Sequence, residues 1–143
     1  MGLLRAMDIT ASGLYASRTL MNVAASNLAN ANTTRSVNGG PYQRKNVVLG
    51  SASLEPEGSF QDRISQALRS VQVVGVEADG RPPRTVYDPG HPDADSKGIV
   101  KLPNVNMIEE MVDMITASRA YEAGVNAMQS IKTMANKALS IGR

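Results

Sequence analysis

The sequence has no cysteine and no tryptophan, a single phenylalanine, a single histidine and four tyrosines. The missing thiols exclude disulfides, thiolate nucleophiles and most zinc sites together, and they leave either redox compartment open. The scarcity of aromatics is as informative. In 143 residues with 42% hydrophobic content, a compact enzyme core would normally hold more ring bulk. Eight methionines and abundant alanine supply the apolar surface instead, which makes it thin and adaptable. The length suits one domain of ordinary size. A net charge of +2, without a concentrated basic stripe, argues against a nucleic-acid partner. No run approaches the roughly 18 apolar residues of a membrane-spanning helix. Arg5, Asp8 and Arg18 interrupt any signal-like apolar stretch near the start, and Ala6 stands where a myristoylation signal needs Ser or Thr. The expectation is a chain that is soluble or held by other proteins, with no direct membrane insertion and no cleavable signal peptide.

What is present falls into three regions. Residues 1–32 contain no Pro, and Met7, Leu14, Met21 and Leu28 recur every seven residues, flanked by Leu4, Ala11, Ala24, Ala25 and Ala31. This spacing predicts a helix with one narrow apolar seam. At 1.5 Å per residue it would be about 42 Å long, more than such a domain needs to cover its own core. Asn22, Asn27 and Asn30 are expected on an arc away from that seam, outside the core. Residues 33–103 hold all seven prolines, most of the glycines and turn signals such as Asn38-Gly39-Gly40-Pro41 and Asp79-Gly80. Short strands are expected at Gln43 to Leu49, Val71 to Glu77, Arg84 to Tyr87 and Ile99 to Leu102. Ser51 to Gln66 reads as a polar loop or a loop with a short helix.

Residues 104–143 carry the clearest pattern. Met107, Met111, Met114, Ser118, Tyr121, Val125 and Met128 follow alternating steps of four and three, the spacing of a coiled-coil seam. Asn106 with Glu109 forms a capping-box sequence just after Pro103. Glu109, Glu110 and Asp113 near the start, and Lys132, Lys137 and Arg143 near the end, complement the helix dipole. An ordinary two-helix hairpin packed on a small sheet would use both seams as core. Ile108, Val112 and Ile115, however, form a second apolar line that one partner helix would leave uncovered, and uncovered apolar stripes mark interfaces. The fold expected is mainly α with a small β-rich middle, the long terminal helices pairing as a coiled coil around a short-stranded insert.

Catalytic motifs fail one by one. Asp88 to Gly98 holds the only histidine and three carboxylates. As a calcium loop it would offer Asp93 and Asp95, but Lys97 replaces the third ligand and Asn104 the bidentate Glu. As a hydrolase built on His91, Asp93 and Asp95 it lacks a nucleophile elbow or a second His. An ordered turn is the simpler reading. No phosphate-binding or dinucleotide fingerprint occurs, so no cofactor and no catalytic residue is assigned.

Two stretches carry a resemblance. Val23 to Thr33 contains Asn27-Leu28-Ala29-Asn30, and Val105 to Val112 is followed by Ser118-Arg119-Ala120-Tyr121. Both resemble the terminal helices of bacterial flagellar basal-body rod proteins. The segment Tyr87 to Asp95 and the short chain are similar to the proximal member of that family. The resemblance implies a structural rod subunit in the periplasm, exported through the flagellar secretion channel. It would assemble as a homo- and hetero-oligomer with proximal and distal rod proteins, and contact membrane-ring and export-gate adaptor components. Met7, Leu14, Met21, Leu28, Met107, Met111, Met114, Tyr121, Val125 and Met128 would form the assembly seam. Gly124, where the family often has Asn, would mark a bend in the second helix. A coiled-coil adaptor or secreted assembly protein outside the flagellum is the alternative.

Overall fold

The computed structural model describes residues 2–37, 39–53 and 69–141. The element order is α1 (Gly2–Ala29), β1 (Lys45–Ser53), β2 (Arg69–Ala78), β3 (Arg84–Tyr87), β4 (Ile99–Leu102) and α2 (Met107–Ile141). Among the described residues the architecture is two long helices and a small central region of two antiparallel strand pairs.

α1 and α2 run antiparallel against each other. Asn27 near the end of α1 meets Glu110 near the start of α2, and Leu14 meets Gly124. On α1 the seam alternates a row of larger side chains, Met7, Leu14, Met21 and Leu28, all half-buried, with a row of small ones, Thr10, Ser17 and Ala24. On α2 the inward line is Glu110, Met114, Ala117, Tyr121, Gly124, Met128 and Ile131, again in steps of four and three, so both helices present a 3.5-residue repeat to each other. Small residues on both sides let the backbones approach closely.

Gly124 does not interrupt α2, which is continuous from Met107 to Ile141. It is instead the hole for Leu14. A Cβ at this position would lie 2.8 Å from Leu14 Cδ2 and 3.2 Å from its Cγ, so the glycine is there for space rather than for flexibility. The start of α2 also differs from the expected seam. Met107 and Met111 are exposed, because Glu110 takes the inward position and turns its flanks outward. Asn106 caps the helix as expected, its Oδ1 accepting the Ile108 amide at 3.1 Å.

All four strands form. β3 and β4 have the expected limits and pair from Arg84 with Leu102 to Tyr87 with Ile99. β1 starts at Lys45 and runs to Ser53, further than expected, into the stretch read as a loop. Most of that stretch, including the candidate short helix, lies outside the described residues. β1 and β2 pair with a bulge at Val48/Leu49 that leaves Val74 as the extra residue. Gly50 makes room for it, since a Cβ there would sit 2.8 Å from Val74 Cγ2. This hairpin packs along α1, where Ser12 Oγ accepts the Val71 amide at 3.2 Å. A two-stranded ribbon alone is marginal in water, so the helix is what holds it.

Candidate assembly site

Where α1 ends, α2 begins and β1 starts, the polar chemistry is concentrated. Asn27 is 1% exposed and Glu110 2% exposed. The asparagine expected outside the core is therefore at its centre. Asn22 is exposed and Asn30 half-buried, its Nδ2 donating to Ser26 O within the helix. The amide of Asn27 is used completely. Its Nδ2 donates to Lys45 O and to Glu110 Oε2, both at 2.9 Å. Its Oδ1 accepts the Lys45 amide at 2.9 Å and the Tyr42 hydroxyl at 3.0 Å. Two donors and two acceptor sites are all that an Asn side chain has. Nothing smaller, and no carboxylate, can do the same.

Glu110 receives its second partner from Arg44, whose Nε donates to Oε1. The same guanidinium donates to Asn46 Oδ1 and lies 3.6 Å from Asp79 and 3.9 Å from Asp113. Asp79 is clamped by Arg81, whose Nε and terminal nitrogen donate at 2.9 and 2.6 Å and whose backbone amide donates at 3.0 Å. That clamp, led by the Arg81 side chain, holds the Asp79 carboxyl far below the usual carboxylate range. One arginine thus links α2, β1, the residue that follows β2 and, through Glu110 and Asn27, α1. A buried ionised group is tolerated only when paired and hydrogen-bonded, and this one is both. A cleft of about 810 Å³ opens beside the joint, bordered by Tyr42, Arg44, Lys45, Arg81 and Lys101.

The turn from Asp88 to Gly98 is built from its own hydrogen bonds. Asp95 Oδ1 accepts the Lys97 and Ile99 amides at 2.8 and 3.0 Å, and His91 Nδ1 accepts the Asp93 amide at 3.1 Å. Asp93 reaches across to the segment after α1, accepting from Thr34 at 2.7 Å and from Arg35. These bonds lower the carboxyl pKa values, chiefly through Thr34 for Asp93 and through the Ile99 amide for Asp95. Gly98 has φ of +72° and a Cβ there would press on Tyr87 and Pro89. Among the described residues no group of three or more His, Cys, Asp or Glu could hold a metal ion. The side chains of His91 and Asp95 shape the turn, and that of Asp93 ties it to the segment after α1.

Of the residues singled out in the sequence, Leu14 lies against Gly124 in the seam between the helices, and Met114, Tyr121 and Met128 are half-buried along the inward line of α2. Ser118 and Val125 are half-buried beside it, and Arg119 and Ala120 are exposed. Leu28 is half-buried next to Asn27, with Ala29 exposed. Tyr42, Arg44 and Glu110 were missed as a site. In the sequence Glu110 reads as a helix-dipole charge, and only its partners, 66 and 83 positions away in the chain, reveal its role.

A seam of two terminal helices, a polar joint and exposed apolar helix ends are the features of an assembly subunit. Comparison with known proteins makes this specific. Residues 5–35 match the model for flagella basal body rod proteins, and residues 96–141 match that for the flagellar basal body rod FlgEFG protein C-terminal region. The chain is 42% identical to the flagellar basal-body rod protein FlgC of Borreliella burgdorferi, covering 99% of this chain and 98% of that one. It is 40% identical to the FlgC of Salmonella typhimurium over the whole of both chains, and 42% identical to that of Bacillus subtilis over 96% of each. The chain belongs to the flagellar basal-body rod protein family, in its FlgC group.

Proposed function

We propose that this chain is a structural subunit of the flagellar basal-body rod, and that its helical hairpin is the part that builds the axial shaft and carries torque. The observation that carries the reading is similarity of about 40% identity along the entire chain to FlgC rod proteins, rather than along the terminal helices alone. The shape agrees with it. A paired helix of 35 residues, about 52 Å long, spreads axial and torsional load over a continuous seam. The joint at Arg44 ties the β region to that seam, so the two parts move together.

The finer features of the proposal are a periplasmic position, export without a cleavable signal peptide, and contacts with proximal and distal rod proteins, membrane-ring components and export-gate adaptors. A cysteine-free chain cannot be locked by disulfides before passage through a narrow channel, which suits export in an unfolded state. Met7, Leu14, Met21, Leu28, Met114, Tyr121, Val125 and Met128 act in assembly by holding the hairpin straight. Met107 and Met111, exposed beside Ile108, Val112 and Ile115, contact neighbours directly.

The test is Leu28→Asp in a strain deleted for the chromosomal copy. A charge in the seam should leave expression intact and abolish swimming. Normal swimming by this variant would remove the seam from the account.

A further inference from the structure

Asp79-Gly80 lies between the end of β2 and the start of β3, and the fold gives no reason for its glycine. Gly80 is not among the residues of positive φ, and a Cβ built on it would meet nothing within 4 Å. What the glycine does bring is chemical exposure. With no side chain to hinder it, a glycine nitrogen can reach the Cγ of a preceding aspartate and close a five-membered ring. Among the described residues the Gly80 amide donates to no acceptor, so the attacking atom is free.

The carboxyl it would attack is not free. The Arg81 amide donates to Oδ1 at 3.0 Å, and its Nε and terminal nitrogen donate to Oδ2 at 2.9 and 2.6 Å. A terminal nitrogen of Arg44 lies 3.6 Å from the same Oδ2, and the Asp79 side chain is 10% exposed. Pro82 follows Arg81, and a residue before proline is held to extended backbone, which narrows the conformations from which the arginine could release the aspartate.

Ring closure forms a bond from Gly80 N to Asp79 Cγ and breaks a Cγ–O bond, the amide proton leaving with that oxygen as water. A neutral carboxyl can lose water, whereas a carboxylate would have to expel oxide. Water then opens the succinimide. Opening at the main-chain carbonyl routes the chain through the aspartate side chain and adds one methylene to the backbone. Hydrogen bonds from arginine favour the ionised carboxyl, and here they also fix the side-chain rotation that ring closure requires. We infer that Asp79-Gly80 is an isomerisation site held closed by the Arg81 clamp, so that the folded chain keeps an aspartyl bond that the unfolded chain loses. An isoaspartyl residue there would lengthen the link between β2 and β3 and shift the carboxylate away from Arg44, which also holds Glu110. The guard therefore protects the polar joint itself, whatever the subunit assembles with.

The test ages four full-length chains in one mildly acidic buffer: the parent, Arg81→Ala, Arg81→Lys, and Arg81→Ala combined with Gly80→Ala. Circular dichroism checks that each is folded, and a second parent sample is aged unfolded in urea. Trypsin does not cut before proline, so every chain yields the peptide from Ser70 to Arg84. Isoaspartate in it is read by enzymatic carboxyl methylation and by fragmentation in the mass spectrometer. Each pKa unit by which the clamp lowers the carboxyl cuts its neutral fraction about tenfold. Arg81→Ala should therefore isomerise about tenfold faster than the folded parent, and adding Gly80→Ala should cancel most of that rise. Arg81→Lys keeps the charge without the two-nitrogen grip and should fall between parent and Arg81→Ala; it carries the test alone if Arg81→Ala does not fold. A folded parent that isomerises as fast as the parent in urea would overturn the inference. So would a folded clamp variant no faster than the parent, or a product that persists undiminished when Gly80→Ala is added.

Discussion

Asn27→Asp exchanges one amide nitrogen for oxygen and leaves the shape of the side chain unchanged. In the folded chain that nitrogen makes two hydrogen bonds at 2.9 Å, to Lys45 O and to Glu110 Oε2, at a residue 1% exposed. The substitution loses a neutral bond and a charge-assisted one, and it sets a second carboxylate against Glu110 where water cannot reach. Lost bonds of these kinds and a buried charge left facing another suggest a cost of about 3–5 kcal/mol. That is a large fraction of the roughly 5–15 kcal/mol that holds a typical domain together. Asn27→Ala, which removes the bonds without adding charge, should cost less. The two carboxyls of the Asn27→Asp chain would retain one proton between them, so the folded-state pKa of the pair is raised. The folded state then binds more protons than the unfolded one. Stability of the variant should therefore fall as pH rises above the unfolded carboxylate value of about 4, and its deficit should shrink again in acid. Urea denaturation of the purified chain, followed by circular dichroism between pH 4 and 8 on both variants and the parent, measures this. A midpoint for Asn27→Asp equal to the parent's at neutral pH would refute the account of the joint.

The other predictions address separate contacts. Gly124→Ala should destabilise by about 1 kcal/mol through pressure on Leu14, yet stabilise by a similar amount in a Leu14→Ala background, where only helix propensity remains; a double-mutant cycle checks the change of sign. Because the Asp93 and Asp95 carboxyls titrate below their ordinary values, their contribution is full above about pH 4 and is lost as pH falls through the folded-state values. Amide resonances of Lys97 and Ile99 should thus shift in acid before the helices melt. His91→Ala removes one acceptor in that turn and should leave swimming unchanged, whereas loss of motility would reopen the search for chemistry there.

Much of this fold could be read from local pattern, and the failures share one cause. β3 and β4 were placed to the residue because Pro and Gly punctuate them on both sides. The helix start at Asn106 followed from its cap and from Pro103. The seam of α1 was visible as a seven-residue row, but its second row consists of Thr10, Ser17 and Ala24, residues too small or too polar to register as a hydrophobic pattern. Glu110 looked like a dipole charge, and Asn27 like a surface amide. Both are buried because each supplies what the other lacks, and reciprocal satisfaction across 83 positions leaves no local mark. Gly124 was misread for a related reason: the void it provides is filled by a residue from the other helix.

The most direct test of the central claim is to complement a deletion strain with a tagged copy of this chain and to isolate basal bodies from it. The account predicts that the deletion is non-motile, that the tagged chain restores swimming, and that it copurifies with the rod after the membranes are dissolved. A deletion strain that swims, or a functional tagged chain absent from purified basal bodies, would contradict it.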